Sequence, residues 1–270
     1  MKKLINRYRY SVILLRQLVK TDFKLRYQGS ALGYMWSLLR PLALFVVLYF
    51  VFGKILKFGD EIPHFSIYLL LGIVVWNYFA EVTSGSVGAI VGRGELIRKI
   101  NFPKYVIVLA GSFSALINLC INFIVIGVFL YINNVDIRPV AAALPIFILE
   151  LFIFSLALAF FLSAAFVRFR DINYIWEVIM QAAFYATPIL YPLSLAADWS
   201  EKIARIMMLN PMAQIIQDMR YVLVTDRAET ISGVYNSHFI RAVPIGITIL
   251  LVVIAAIYFR RRSRFFAEDV

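Results

Sequence analysis

The 270 residues are 62% hydrophobic and 16% aromatic, with a mean hydropathy of +0.81. A soluble domain is about 45–50% apolar, so one core of this size cannot hide the excess, and much of it must face lipid. The formal net charge of +11 would point a soluble chain toward nucleic acid. Here the basic residues sit between and beside apolar runs, so membrane topology accounts for them and no nucleic-acid partner is expected.

Residues 1–34 read as a cytoplasmic interface helix and an entry loop. Ile5, Tyr8, Val12, Leu15, Leu18 and Val19 approximate one helical stripe, with Lys and Arg over much of the remaining surface. That pattern suits a helix lying in the membrane interface; a helix packed on the protein is the alternative. The first long apolar run begins near Leu38, too late for an ordinary signal peptide, so no cleavage is expected.

A helix needs about 20 mostly apolar residues to cross the hydrocarbon core. Segments near 35–56, 66–88, 105–132, 140–167, 172–193 and 242–260 qualify, which predicts an all-α membrane protein with six transmembrane helices. The fifth carries Glu177 and Gln181 and ends at Thr187-Pro188-Ile189-Leu190-Tyr191-Pro192, where two prolines should break it. Basic residues cluster before the first span, after the second (Arg93, Arg98, Lys99, Lys104), after the fourth (Arg168, Arg170) and in the tail (Arg260, Arg261, Arg262, Arg264). Six spans put all four clusters on one side, so both termini should be cytoplasmic. Spans one to five thus occupy 35–193, and span six with a basic tail occupies 242–270. The intervening segment 194–241 is more polar than its neighbours and should lie on the outer side. Its Ile203–Met208 and Met212–Val224 are too short to span and read as interfacial or re-entrant helices packed against protein.

Catalytic chemistry has no positive signal. There is no Gly-x-x-x-x-Gly-Lys-[Ser/Thr] phosphate loop and no His-Glu-x-x-His, so the chain should not hydrolyse ATP, and no catalytic residue is assigned. His64 and His238 lack a ligand cluster, Cys120 lies in an apolar run, and no metal site is expected. Arg40, Glu81, Glu150 and Glu177 stand in or beside apolar runs, where charged groups face a cavity, a partner or the interface. Phe45, Tyr49 and Phe52 recur at i, i+4 and i+7 of span one, Trp76 and Phe79 lie in span two, and Phe184 and Tyr185 in span five. Periodicity alone is met by ordinary helix packing or lipid contact.

The stretch Asp22-Phe23-Lys24-Leu25-Arg26-Tyr27-Gln28-Gly29-Ser30-Ala31-Leu32-Gly33-Tyr34-Met35-Trp36-Ser37-Leu38-Leu39-Arg40-Pro41 resembles the entry to the first span of the polysaccharide-export permeases of ABC transporters. Glu95-Leu96-Ile97-Arg98-Lys99-Ile100-Asn101-Phe102-Pro103, then Arg168-Phe169-Arg170-Asp171-Ile172, Pro188–Pro192 and Asn210-Pro211 follow in the family's order, over nearly the whole chain. The resemblance implies a bacterial inner-membrane homodimer working with two copies of a separate ATPase subunit, which would hold ATP and magnesium. It implies export of a polyprenyl-pyrophosphate-linked polysaccharide through the lipid membrane, with O-antigen the first choice, then teichoic acid and capsule. On that resemblance Arg26, Gly29, Ser30, Leu32, Gly33 and Arg40 become the expected lipid-head-group entry. Phe45, Tyr49, Phe52, Trp76, Phe79, Phe184 and Tyr185 become the glycan path. Glu95, Leu96, Ile97, Arg98, Lys99 and Phe102 become the segment that couples to the ATPase. A membrane enzyme acting on lipid-linked sugars, or an ion-coupled transporter using Glu81 and Glu150, is the competing reading.

Overall fold

The computed structural model describes residues 2–26, 29, 32–58, 62–100 and 102–269, and their side chains except those of 2–10, 23, 25, 26, 34, 267 and 269. All regular structure among them is helical. The chain runs α1 (Lys2–Arg26), α2 (Trp36–Leu48, continued by a π-helix over Tyr49–Ile55), α3 (Phe65–Val87), α4 (Gly94–Lys99) and α5 (Tyr105–Ile132). Then come α6 (Leu144–Arg168), α7 (Ile172–Ala186), α8 (Leu193–Trp199), α9 (Glu201–Met208) and α10 (Pro211–Leu223). The last helices are α11 (Ile231–Tyr235), α12 (Ala242–Arg262) and α13 (Phe266–Asp269).

Among the described residues five helical segments are long and apolar enough to cross a membrane: Trp36–Ile55, Phe65–Val87, Tyr105–Ile132, Pro139–Arg168 and Phe239–Arg262. The expected fifth span, 172–193, differs. Its helix α7 has 15 residues and stops at Ala186, which gives about 22 Å at 1.5 Å per residue against a hydrocarbon core of about 30 Å. Pro188 cannot continue the ladder, so residues 187–191 form a turn before α8.

Position in the bundle follows from how apolarity is distributed around each helix. The first half of helix α3 is apolar on nearly every side, and Ile67, Leu69, Leu70, Leu71, Ile73 and Val75 are all buried, as expected of a central helix. It packs on α5 and α6 and also meets α2, α7 and α10. Helix α12 lies on α6, with Phe160 edge-on to Phe259 at 5.0 Å and Phe161 against Tyr258 at 5.3 Å; α6 buries Ala157, Ala159, Ala164 and Ala165, and α12 buries Thr248 and Ala255. Between lipid-soluble helices the drive is close packing rather than transfer from water, and small residues permit that approach. Helix α2 covers little of its surface; Leu44, Val46, Val47, Phe50 and Ile55 are exposed.

Helix α1 packs along α5. Its buried or half-buried side is Ser11, Leu14, Leu15, Leu18, Val19 and Asp22, and Asp22 Oδ1 pairs with Arg93 Nη2. Val12, expected on the covered stripe, points away instead and is 62% exposed beside Ile13. The covered stripe is set one position off Val12 because Ser11 and Asp22, both polar, face the protein.

Candidate functional site

The exposed edge of α3 carries Asn77, Ala80, Glu81, Ser84 and Gly85 at i, i+3, i+4, i+7 and i+8, so they form one strip. Two grooves flank this strip, and both use Ala80 and Ser84.

The first groove, between α2, α3 and α5, has a volume of about 730 Å³. Its polar lining comprises Ser37, Arg40, Asn77, Tyr78, Glu81, Ser84, Asn118 and Asn122, with Trp36 at one wall. Asn118 Nδ2 donates to Glu81 Oε1 at 3.0 Å. Asn122 Nδ2 donates to Asn118 O at 2.8 Å and to Ser37 O at 3.3 Å. Glu81 lines this groove and pairs internally with Asn118. Asn77, Asn118 and Asn122 were not expected. Their signal was an amide within an apolar span, with Asn118 and Asn122 four apart on one face of α5.

The second groove, about 380 Å³, lies between α3 and α7 and is walled by Trp76, Trp176, Met180 and Phe184, with Asn173, Glu177 and Gln181 at its edge. Trp76 packs on Phe184 edge-on at 5.6 Å between ring centres and on Phe79 at 5.4 Å. Phe79 stacks on Phe154 of α6 at 5.5 Å and meets Trp176 at 6.4 Å. Tyr185 touches Phe184 edge-on at 5.3 Å but is itself 68% exposed. Four of the expected path residues, Trp76, Phe79, Phe184 and Tyr185, therefore meet.

The α2 aromatics do not join them. Phe45 is buried against Tyr49, stacked at 5.7 Å, and against Phe129 of α5, edge-on at 5.8 Å. Tyr49 lies over Gly53, where an added Cβ would come within 3.1 Å of its ring. Phe52 packs on Phe58. The α-helical register ends at Tyr49, where the π-helix begins, so spacing counted at 3.6 residues per turn no longer aligns Phe52 with Phe45.

At the other end of α7 the turn is held by one side chain. Arg220 of α10 is wholly buried. Its Nη1 donates to Pro188 O and its Nη2 to Ile189 O, both at 2.6 Å, and its Nε donates to Tyr68 O at 3.0 Å. Its guanidinium also lies 3.5 Å from the centre of the Tyr68 ring. Backbone carbonyls freed by the proline break are thereby satisfied by protein, as buried polar groups normally are. Gly72 makes the approach possible: a Cβ there would sit 2.6 Å from Arg220 Nη2 and 3.2 Å from Ile189 O. Burial lowers the Arg220 pKa to about 10, with Tyr68 opposing, so it stays charged at neutral pH. Helix α10 begins at Asn210, whose side chain accepts from Met212 N at 3.0 Å, with Pro211 at the first turn. On its next face Asp218 Oδ1 accepts from Arg241 Nη2 at 2.9 Å, and Asp218 Oδ2 accepts from Gln214 Nε2 at 2.7 Å. Burial pushes the Asp218 carboxyl above the usual carboxylate range, against the pull of Gln214 and Arg241.

The α4 segment divides into two faces. Ile97 and Phe102 are buried and Leu96 is half-buried, and α4 rests against α13. Glu95, Arg98 and Lys99 face outward, with Lys99 Nζ 3.3 Å from Glu95 Oε2. Of the segment expected to couple to an ATPase, Leu96 and Ile97 thus form the inner face that holds α4 to its own chain, and the charged residues form the outer one. At the entry loop, Gly29 and Gly33 have φ of +80° and +49°, a region open chiefly to glycine. Leu32 is 43% exposed and Arg40 opens on the polar groove. Ser30 and the side chain of Arg26 lie outside the described residues.

The O-antigen export system permease protein RfbA of Klebsiella pneumoniae is 29% identical over 260 residues, covering 95% of each chain. A protein of the same name from Myxococcus xanthus is 28% identical over 270 residues, covering 97% of each. The polysialic acid transport protein KpsM of Escherichia coli is 32% identical over 69 residues, about a quarter of each chain. Residues 13–224 match the family model described as ABC-2 type transporter. That match spans most of the chain, including α2 to α10, and the chain belongs to the ABC-2 type transporter family.

Proposed function

We propose that this chain is the permease subunit of an ATP-driven exporter that carries a polyprenyl-pyrophosphate-linked polysaccharide, O-antigen first among the candidates, across the bacterial inner membrane. The observation that carries this reading is the near-full-length similarity to O-antigen permeases, together with a groove of amides and a groove of aromatic rings along one α3 strip. Export of a polymer needs a surface that binds many successive units weakly. Aromatic faces do this through C–H contacts that register no single hydroxyl. Two copies of the permease would flank the path, each with an ATPase subunit that holds ATP and magnesium. Both termini lie in the cytoplasm in this reading, since the four basic clusters then share that side. It makes α7, with the buried turn after it, the sixth crossing element. The outward face of α4, Glu95, Arg98 and Lys99, meets the ATPase and passes its closure to α3 and α5. Arg40 and the Gly29–Gly33 loop receive the lipid-linked phosphate. Deleting the gene should strip the polysaccharide from the cell surface and leave it on its lipid carrier in the cytoplasm, and the wild-type gene should restore it. Undiminished surface polysaccharide in the deletion strain would refute the reading.

A further inference from the structure

The polar groove between α2, α3 and α5 holds more hydrogen-bonding capacity than helix packing uses. Asn118 is 6% exposed and Tyr78 3% exposed, and both line the groove. Asn118 Oδ1 and Tyr78 Oη have no hydrogen-bond partner among the described residues. Asn118 spends its amide hydrogens on Glu81 Oε1, which fixes its oxygen as an acceptor still to be filled. Buried polar atoms normally find partners, and in a membrane each one left over is costly.

The chemistry of the missing partner is constrained by the lining. It must donate to Asn118 Oδ1, and it must accept from or donate to Tyr78 Oη. A fully ionised pyrophosphate diester has no proton to donate to Asn118 Oδ1, and it would face the Glu81 carboxylate. A bare cation would face Arg40. A hydroxyl group both donates and accepts, and a ring of hydroxyls meets amides, a carboxylate and a guanidinium at once. The Trp36 ring at the wall offers an apolar plate for the C–H face of such a ring. The volume of about 730 Å³ falls within the range of small-molecule sites.

We propose that this groove is a saccharide subsite that holds sugar rings of the moving glycan by their hydroxyls, with Asn118 and Tyr78 as its inner contacts. The assignment rests on the export reading above and adds to it a binding step separate from the aromatic side of α3. Sugar hydroxyls replace water with equivalent bonds, so a chain can enter from a hydrated mouth without a large penalty and leave again.

The test uses the full-length permease with its ATPase in lipid nanodiscs. The probe is a set of oligosaccharides of two to six residues, released by mild acid from the surface polysaccharide of the strain carrying the gene and end-labelled with tritium. Equilibrium dialysis should show saturable binding. Tyr78→Phe, which keeps the ring and removes only the hydroxyl, should raise the Kd about three- to tenfold, the range for one hydrogen bond. Asn118→Leu should raise it further, and Val253→Ala on the exposed face of α12 should leave it within about twofold, since additivity holds for sites without shared partners. Sodium phosphate at the same concentration should not compete. Absence of saturable binding (a water-filled cleft only), a Kd indifferent to Tyr78→Phe, or full competition by phosphate would each overturn the subsite. The deletion strain separates the two failures. If deletion strips the surface polysaccharide while the probe does not bind, only the subsite falls; if deletion leaves the surface unchanged, the export reading falls.

Discussion

Replacing Arg220 by Met removes the donors that hold the turn after α7 while keeping a long apolar stem. Two buried backbone carbonyls of the turn, Pro188 O and Ile189 O, then lose their partner, Tyr68 O keeps only its bond within α3, and the contact with the Tyr68 ring is lost. Leaving a buried acceptor unsatisfied costs about 1–3 kcal/mol each. Relief of the buried charge offsets part of that, so a net loss of about 3–5 kcal/mol is expected. At about 2–4 °C per kcal/mol for a chain of this size, the melting midpoint of the detergent-solubilised protein should fall by about 6–20 °C. Arg220→Lys should fall nearly as far, because one ammonium cannot reach carbonyls on α3 and on the turn together. Gly72→Ala tests the same contact from the other side, since its Cβ would sit 2.6 Å from Arg220 Nη2. The two substitutions share one contact, so they should be less than additive: Gly72→Ala should cost clearly less in the Arg220→Met background than alone. Size-exclusion chromatography of a fluorescent fusion after graded heating reads the midpoint. An unchanged midpoint in Arg220→Met, or strict additivity with Gly72→Ala, would refute this account of the turn.

Ile97→Asp should lower the amount of folded protein, because it places a charge where the side chain is 5% exposed. Paired charge reversal at Glu95 and Lys99 should leave folding intact and reduce ATPase stimulation, as measured in reconstituted complexes. Normal stimulation would count against the α4 face. In a Cys120→Ser background, a cysteine at Arg98 should react only from the cytoplasmic side of sealed cells and one at Asp198 only from outside; the reverse labelling would invert the orientation. Tyr49→Ala should lose about 3–5 kcal/mol of stability in step with its loss of export, because Tyr49 stacks on Phe45 over Gly53. Export lost at an unchanged melting midpoint would return Tyr49 to the path. Because burial raises the Asp218 pKa in the fold, the folded state binds that proton more tightly than the unfolded chain. Its contribution is present at low pH and is lost as pH rises through the raised value. The melting midpoint should therefore gain a smaller increment on acidification from pH 7 toward 5 in Asp218→Asn than in the wild type, and an identical pH profile would remove Asp218 as its source.

The length of each apolar run determined which segments are long helices, because bilayer thickness imposes a local length requirement on every span. Hence α3, α5 and α12 begin and end within a few residues of where composition places them, and the polar stretch after the Pro188–Pro192 break resolves into α9 and α10 close to their expected limits. Family membership was legible for the same reason: its motifs are local and keep their order. What the sequence left open is which side chains share a space. Glu81 and Asn118 lie 37 positions apart, and Arg220 reaches a carbonyl 152 positions away; no periodicity connects them. The aromatic stripe of α2 was misaligned with the others because a π-helix changes the turn on which the stripe was counted. The sequence of α4 likewise does not say which of its residues its own chain covers, and only the fold shows Ile97 buried and Glu95, Arg98 and Lys99 outside. Local chemistry sets the elements, whereas burial at contacts distant in sequence decides which of their polar groups remain open to a ligand, and that depends on how α2, α3, α5 and α10 come together.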